Sequence, residues 1–276
     1  MRARILTTWD AAAARRLVEA DPVANVFIGS RLDAGILNPG AAGTLWGWPE
    51  GEPRALLHIG ANMVPLADSL EPIRDFVEAA GRRRTCQSIV GPSWLALPLW
   101  RALGERWGRT YGVAREVRPR QPVMALATTP RCPIDPRVRP IQLRDFDSYF
   151  AASVAMYGEE VGTDPVSSGI EASYRSYCRW LVDEGRAFGI VEGGRVIFKS
   201  DIGAASGRVA QIQGVWLDPA LRGRGLSAPA VAAVAEYVLA EYATASLYVN
   251  DFNVRAIRAY ERVGFLTVGE FATVLY

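Results

Sequence analysis

The stretch Gln211-Ile-Gln-Gly-Val-Trp-Leu-Asp-Pro-Ala-Leu-Arg-Gly-Arg-Gly-Leu-Ser-Ala228 decides the reading of this chain. A strand ends at Leu217, Asp218-Pro219 turns the chain, and Arg222-Gly-Arg-Gly-Leu-Ser227 opens a helix running to about Tyr242. Glycines at 223 and 225 let the backbone come close to a ligand and take conformations that other residues avoid. The helix start offers free N–H groups and a partial positive charge. Together they form an anion cradle suited to a pyrophosphate, and Arg222 and Arg224 add charge that pairs with phosphate oxygens. Gly223-x-Gly225-x-x-Ala228 also satisfies the dinucleotide fingerprint. That fingerprint belongs at a fold's first strand with several βα units behind it, and only about fifty residues follow here.

Downstream stands Ser246-Leu-Tyr-Val-Asn-Asp-Phe-Asn-Val-Arg-Ala-Ile-Arg-Ala-Tyr-Glu-Arg-Val-Gly-Phe265. Ser246–Asn250 reads as a strand, and Asn253 is a good N-cap for the helix that follows. Ala256, Ile257, Tyr260 and Val263 keep helical spacing until Gly264 stops the helix. Asn253 and Tyr260, two turns apart, fall along one face; read alone, Tyr260 is a core aromatic.

Arg222-x-x-Gly225-x-Ser227 resembles the acyl-CoA loop, Q/R-x-x-G-x-G/A, of the GCN5-related N-acetyltransferases (GNAT). Asn253-x-x-Ala256-x-x-x-Tyr260-x-x-x-Gly264-Phe265 resembles that family's second motif, in the same order and at a similar separation. The resemblance covers about residues 138–276 and departs at Ser227, where Gly or Ala is usual. It implies that acetyl-CoA is the co-substrate and that no metal is needed. Backbone groups of Val215, Trp216 and Leu217 would hold the pantetheine arm like an added strand, and a free N–H there would polarise the thioester carbonyl. Amides from Gly223 through Arg224, Gly225, Leu226, Ser227 and Ala228 would hold the pyrophosphate, with Asn253 hydrogen-bonding the cofactor. Tyr260 would protonate the departing thiolate while an acceptor amine attacks directly.

The general base is less plain. Family members often carry a glutamate on the strand before the loop, but alternation there puts Gln211, Gln213, Val215 and Leu217 on one face, and glutamine takes no proton. A second common position is Tyr248. Asp201, Asp251, Glu159 and Glu160 remain, with Asp201 ranked first; it shares a strand face with Lys199, and the two could equally be a structural ion pair.

Composition removes rival chemistries. The chain has 276 residues, a net charge of +2, 31 basic residues of which only Lys199 is a lysine, and one histidine, His58. A single histidine excludes the two-His zinc helix motif, and His58 sits in the apolar run Ala55-Leu-Leu-His-Ile59 as a packed residue. Cys86, Cys132 and Cys178 form no C-x-x-C pair, and neither a Walker A loop nor G-x-S-x-G is present. Acidic residues nearly balance the arginines, so nucleic-acid binding is not expected. No apolar run reaches membrane-spanning length and MRARILTTWD lacks a signal-type apolar region, so a cytoplasmic protein without membrane contact is expected.

Composition breaks between about Arg115 and Arg144, which hold six of the 17 prolines and seven arginines. Closely spaced prolines oppose helix and central strand, so the segment reads as an extended connector. Three regions follow: an N-terminal module over 1–125, a Pro/Arg-rich linker over 126–137 and the acetyltransferase-like domain over 138–276. The N-terminal side alternates similarly: a strand near Ile5, helix from Ala11 to about Leu32, strand-like Thr44–Trp48 and Arg54–Val64, helix Ser69–Ala80, strand Gln87–Val90 and helix Trp94–Trp107. On the C-terminal side, strand-like Arg139–Leu143 and two helices over Phe146–Glu184 lead to strands at Ala187–Glu192, Arg195–Ala204 and Val209–Leu217. A helix, a strand, a helix and two closing strands complete it.

The fold class expected is mixed α/β, a C-terminal GNAT fold behind a degenerate GNAT-like module, similar in plan to mycothiol synthase. Leu56–Ser69, where the first module would carry its loop, has no R-G-x-G, so no cofactor site is expected there. Its aromatics Trp46, Trp48, Trp94, Trp100 and Trp107 suit core packing or an acceptor-facing surface. The function expected is acyl transfer, foremost acetyl, from CoA to a primary amine on a small molecule, peptide or protein. An acyl-CoA-binding sensor without chemistry is the alternative.

Overall fold

The computed structural model describes residues 2–162, 165–166 and 169–276. The first half of the chain runs β1 (Arg4–Ile5), α1 (Ala11–Ala20), α2 (Val26–Asp33), β2 (Thr44–Trp48), β3 (Ala55–Ile59), β4 (Asn62–Leu66), α3 (Ile73–Ala80), β5 (Ser88–Pro92), α4 (Ser93–Trp107), α5 (Arg109–Gly112) and β6 (Glu116–Leu126). The second runs β7 (Arg139–Pro140), α6 (Phe146–Val161), α7 (Glu171–Asp183), β8 (Ala187–Glu192), β9 (Arg195–Ser206), β10 (Val209–Leu217), α8 (Ser227–Glu241), β11 (Thr244–Tyr248), α9 (Val254–Val263) and β12 (Leu266–Leu275). Positions 163, 164, 167 and 168, inside the expected helix pair, lie outside the described residues.

The strands join in one sheet of order β1-β2-β3-β4-β5-β12-β6-β11-β10-β9-β8-β7. Each half thus builds five strands of its own and then accepts the last strand of the other half before its own last strand. β12 lies between β5 and β6, and β6 lies between β12 and β11, all antiparallel. The halves correspond in another respect. β4 pairs with β5 in parallel, as β10 does with β11, and most other neighbours are antiparallel.

Four sequence expectations change. The strand-like run Arg54–Val64 is two antiparallel strands, β3 and β4, with Gly60 and Ala61 between them. The helix over Ala11–Leu32 is two helices, because Asp21-Pro22 breaks the run before α2. Only one strand, β12, closes the chain; the second closing position is filled by β6. The proline-rich segment is extended as expected, yet its first part is a strand inside the sheet. The prolines are tolerated for local reasons. β11 pairs with β6 only from Val123 to Leu126; beyond that, the chain after β11 uses only carbonyls of β6, Val249 N–H donating to Pro122 O at 3.2 Å and Asp251 N–H to Arg120 O at 3.3 Å, so no N–H is asked of Pro119 or Pro122 on that side. Pro119 also falls opposite the register shift between Phe271 and Thr273. A missing N–H costs little at an edge or a bulge.

Helices cover both faces. α8 is Ala- and Val-rich and apolar nearly all round. It buries Val231, Val234 and Val238 against Ile212, Leu247 and Phe265. On the opposite face, Tyr149 and Phe150 of α6 and Leu181 of α7 cover β8–β10. α2 joins them there, lying so close to β9 that a Cβ on Gly29 would stand 2.6 Å from Ser206 Oγ. In the first half, Phe76, Leu99, Leu103 and Ile89 form the core around α3, α4 and β5.

Candidate active site

β10 and β11 are paired only from Val209–Gln211 to Thr244–Ser246; beyond Gln211 the two strands part. On its other edge, β10 slips register against β9 between Gln213 and Trp216, leaving Gly214 and Val215 without partners. Gly214 has φ +58°, and a Cβ there would lie 2.8 Å from Asp201 Oδ2 and 3.0 Å from Lys199 Nζ. Glycine is required by conformation and by space. The bulge breaks the simple alternation expected of this strand. Trp216 now faces α6, and Val215 and Leu217 face α8.

After Leu217, Asp218 turns the chain by accepting the Ala220 N–H at 2.9 Å and pairing with Arg195. Gly223 and Gly225 have φ +80° and +77° with open space where a Cβ would stand. α8 then begins at Ser227 without a side-chain cap, so its first-turn N–H groups have no intrahelical partner. Arg224 is exposed. Arg222 is tied back: its Nε donates to Leu217 O at 2.9 Å, and its Nη2 contacts Glu159 Oε2 at 2.8 Å. Glu159 also accepts the Trp216 Nε1–H at 3.1 Å. The end of α6 is thereby fastened across the outer end of β10.

Asn253 caps α9, its Oδ1 accepting the Ala256 N–H at 3.2 Å. Tyr260, two turns on, is buried beside Phe265, and burial raises its phenol pKa well above the usual range. Protonated at neutral pH, it can donate. Tyr248 stands at the cleft rim with its ring 5.5 Å from Phe271, and its surroundings push its pKa up to about 12.

Asp201 is buried, with both oxygens engaged. Lys199 Nζ donates to one at 2.5 Å and Tyr149 Oη to the other at 2.7 Å. Glu160 differs. It is accessible to solvent, but walled by protein that pushes its pKa up against the pull of Arg118 and Lys199. Its charge bears on both Tyr248 and Tyr260. The backbone around it is anchored from β6 and from the residue just before that strand. Arg118 Nη2 donates to Glu160 O at 2.5 Å, and Arg115 Nη1 donates to Val161 O at 2.6 Å. Asp251 is exposed beside the strand end. The structure therefore sets Glu160 within electrostatic reach of Tyr248, Tyr260 and Lys199 near the cleft where β10 and β11 part, with Asp201 against the Gly214 bulge. Sequence reading missed Tyr149, Arg115 and Arg118. A tyrosine on an apolar helix face and arginines among prolines carry no local signal for a site. Among the described residues, no cluster of three His, Cys, Asp or Glu could hold a metal, and no helix is long and apolar enough to cross a membrane.

Residues 144–265 match the acetyltransferase (GNAT) family, and residues 43–149 match a domain of unknown function (DUF4081). Similar solved structures include a GCN5-related N-acetyltransferase from Sphaerobacter thermophilus, 16% identical, with a TM-score of 0.62 over 99% of this chain and 94% of that one. A tandem GNAT protein from the clavulanic acid biosynthesis pathway is 16% identical, with a TM-score of 0.59 over 99% and 97%. A Drosophila protein is 15% identical, with a TM-score of 0.67 over 99% and 98%. No curated protein matches the chain. At such identities the likeness is one of fold, and it extends over both halves. The second half of the chain thus carries a domain of the acetyltransferase (GNAT) family, and a domain of unassigned function stands in front of it.

Proposed function

We propose that the protein moves an acetyl group from acetyl-CoA to a primary amine by direct attack, with catalysis in the module over 138–276. The observation that carries this reading is the parting of β10 from β11 beside the Gly214 bulge, opposite the uncapped start of α8. The parting exposes backbone of Val215, Trp216 and Leu217 to an extended ligand arm. Amides from Gly223 to Ala228, with Arg224 beside them, suit a pyrophosphate. When bound, acetyl-CoA supplies the activated acyl group. The amine nitrogen forms a bond to the acyl carbon as the C–S bond breaks, giving an amide and free CoA thiol. Glu160 takes the proton the nitrogen loses, directly or through one water, and Tyr260 gives one to the leaving sulfur, so charge balances. A bulge amide polarises the carbonyl. Glu160 is preferred over Asp201 because a base needs an oxygen facing the cleft, and Lys199 and Tyr149 occupy both of those on Asp201. Tyr248 shapes the rim, and Asn253 orients α9.

The test is thermal melting with CoA, acetyl-CoA, longer acyl-CoAs and NAD in parallel, followed by thiol release from acetyl-CoA with an amine panel. Stabilisation by acetyl-CoA and not by NAD, with amine-dependent thiol release, supports the reading; stabilisation by NAD alone overturns it. Tyr260→Phe should lower turnover about a hundredfold and leave acetyl-CoA binding nearly intact. If acetyl-CoA binds but no amine releases thiol, the protein is a sensor.

A further inference from the structure

Arg31 of α2 is half-buried, and its Nε is buried with no hydrogen-bond partner among the described residues. Its guanidinium lies 5.0 Å from the Phe27 ring, and Phe27 meets His58 edge-on at 5.3 Å. No carboxylate among the described residues forms an ion pair with it. The other charged group bearing on it is a second arginine, Arg186, which repels it. Arg186 rests on the Trp180 ring at 5.2 Å, and also has no ion pair among the described residues. Two half-buried guanidiniums near each other without an acid are costly, because arginines withdrawn from water are normally paired.

The same place borders the cleft. Tyr177 of α7, a neutral phenol within electrostatic reach of Arg31 because burial pushes its pKa up to about 12, stacks on Trp180 at 6.0 Å and accepts the Gln213 Nε2–H at 2.6 Å. The Tyr177 hydroxyl proton stays free to donate. The Gln213 side chain lies flat on β9 because Gly203 has none; a Cβ there would stand 2.0 Å from the Gln213 amide. Gln213 is the last β10 residue paired with β9 before the bulge at Gly214 and Val215. An anion held by Arg31, Arg186 and Tyr177 would therefore sit beside the bulge on which the acyl-transfer reading places the thioester carbonyl.

We propose that Arg31, Arg186 and the Tyr177–Gln213 pair bind an anionic group of the acceptor, so that the amine acetylated also carries a carboxylate or phosphate. This rests on the acetyl-transfer reading, and gives the first half of the chain a specificity role through α2. A guanidinium fork suits either oxyanion.

Matched probes test it. Glycine, leucine, phenylalanine and glutamate are each compared with their amide, and phosphoethanolamine with ethanolamine, by thiol release from acetyl-CoA. At least one anionic member should exceed its uncharged partner in kcat/KM by about tenfold or more, and Arg31→Gln and Arg186→Gln should each collapse that preference toward unity. Whether the acids or phosphoethanolamine win identifies the oxyanion. Equal use of charged and uncharged partners, or a preference untouched by both variants, overturns the proposal. A second readout is independent of chemistry: the N-acetylated products of the same set, added with CoA, should raise the melting temperature of the wild type but not of Arg31→Gln. Arg31-dependent stabilisation without acetyl transfer leaves the anion site standing and removes the acetyl-transfer reading. Acetyl transfer to uncharged amines alone does the reverse. Arg31→Gln should melt no lower than the wild type, since it removes a charge that no acid among the described residues pairs; a large fall in melting temperature shows a structural arginine and overturns the proposal.

Discussion

Glu160 is the accessible carboxylate on which the acyl-transfer reading places the departing proton. Burial holds its pKa up, and only the deprotonated form can accept a proton. As pH falls through that raised pKa the active fraction falls, so kcat should drop on the acid side at a higher pH than an ordinary carboxylate would give. Glu160→Gln should give a low and flat profile over the same range; rate against pH from 5 to 8 for the two proteins decides it, and an unchanged acid limb removes Glu160 from the role. His58 carries a separate prediction, about stability. Its Nδ1 lies 2.9 Å from the Asn62 carbonyl, its Nε2 is buried without a partner among the described residues, and burial lowers its pKa to about 4. The unfolded chain takes up a proton near pH 6.5 that the folded protein refuses. Stability is therefore full above about 6.5 and is lost as pH falls toward 4, by about 3 kcal/mol in all. Because the chain has one histidine, His58→Leu should remove this part of the acid sensitivity. Urea midpoints at pH 7 and pH 4.5 measure it; equal losses in wild type and variant would show that His58 is not the group.

β10 holds the next level of organisation, since one residue in it sets the geometry of the cleft. Gly214 and Gly223 share a positive φ, but a side chain at Gly214 would strike the buried Lys199–Asp201 pair, whereas one at Gly223 would meet open space. Gly214→Ala should thus destabilise the protein by more than Gly223→Ala, for which only the conformational cost of about 1 kcal/mol applies. It should also slow turnover, by shifting the bulge amides. Urea unfolding of the two variants checks this, and equal losses would mean that the pair gives way without cost. Elements with a local cause were legible in the sequence: the Asn253 cap, the Gly264 stop at φ +113° and the Gly-rich turn each follow from neighbouring residues. What was not legible depends on partners far along the chain. Pro119 and Pro122 argue against an internal strand until β12 is seen to bulge against β6. That Tyr149, 52 positions away, occupies the second oxygen of Asp201 has no local signal. Arg31 lies in a stretch that reads as ordinary amphipathic helix, and only the fold shows that no acid among the described residues pairs with it.

The exchange of β6 and β12 makes the two halves one thermodynamic object. Gln121 of β6 shows how: buried, it accepts from Thr273 Oγ1 of β12 at 2.6 Å and donates to Asn250, just after β11, at 2.8 Å. Neither half retains a complete sheet without a strand from the other, so unfolding one exposes the interior of its partner. Removing residues 1–125 would take β6 from between β11 and β12 and leave two unpaired edges around the active-site strands, an invitation to aggregation. Removing only 1–112 keeps β6 but strips β5 from the free side of β12. The intact chain should accordingly melt in a single calorimetric transition, whose van't Hoff and calorimetric enthalpies agree. A CoA ligand bound in the second half should move that whole transition upward, including the signal of the tryptophans in the first half. Both truncations should be insoluble or molten, the longer deletion more severely. Two separate transitions, with only one responding to acetyl-CoA, would show that the shared strands do not couple the halves, and would remove the physical route by which α2 could hold Arg31 rigidly at the acceptor side of the cleft.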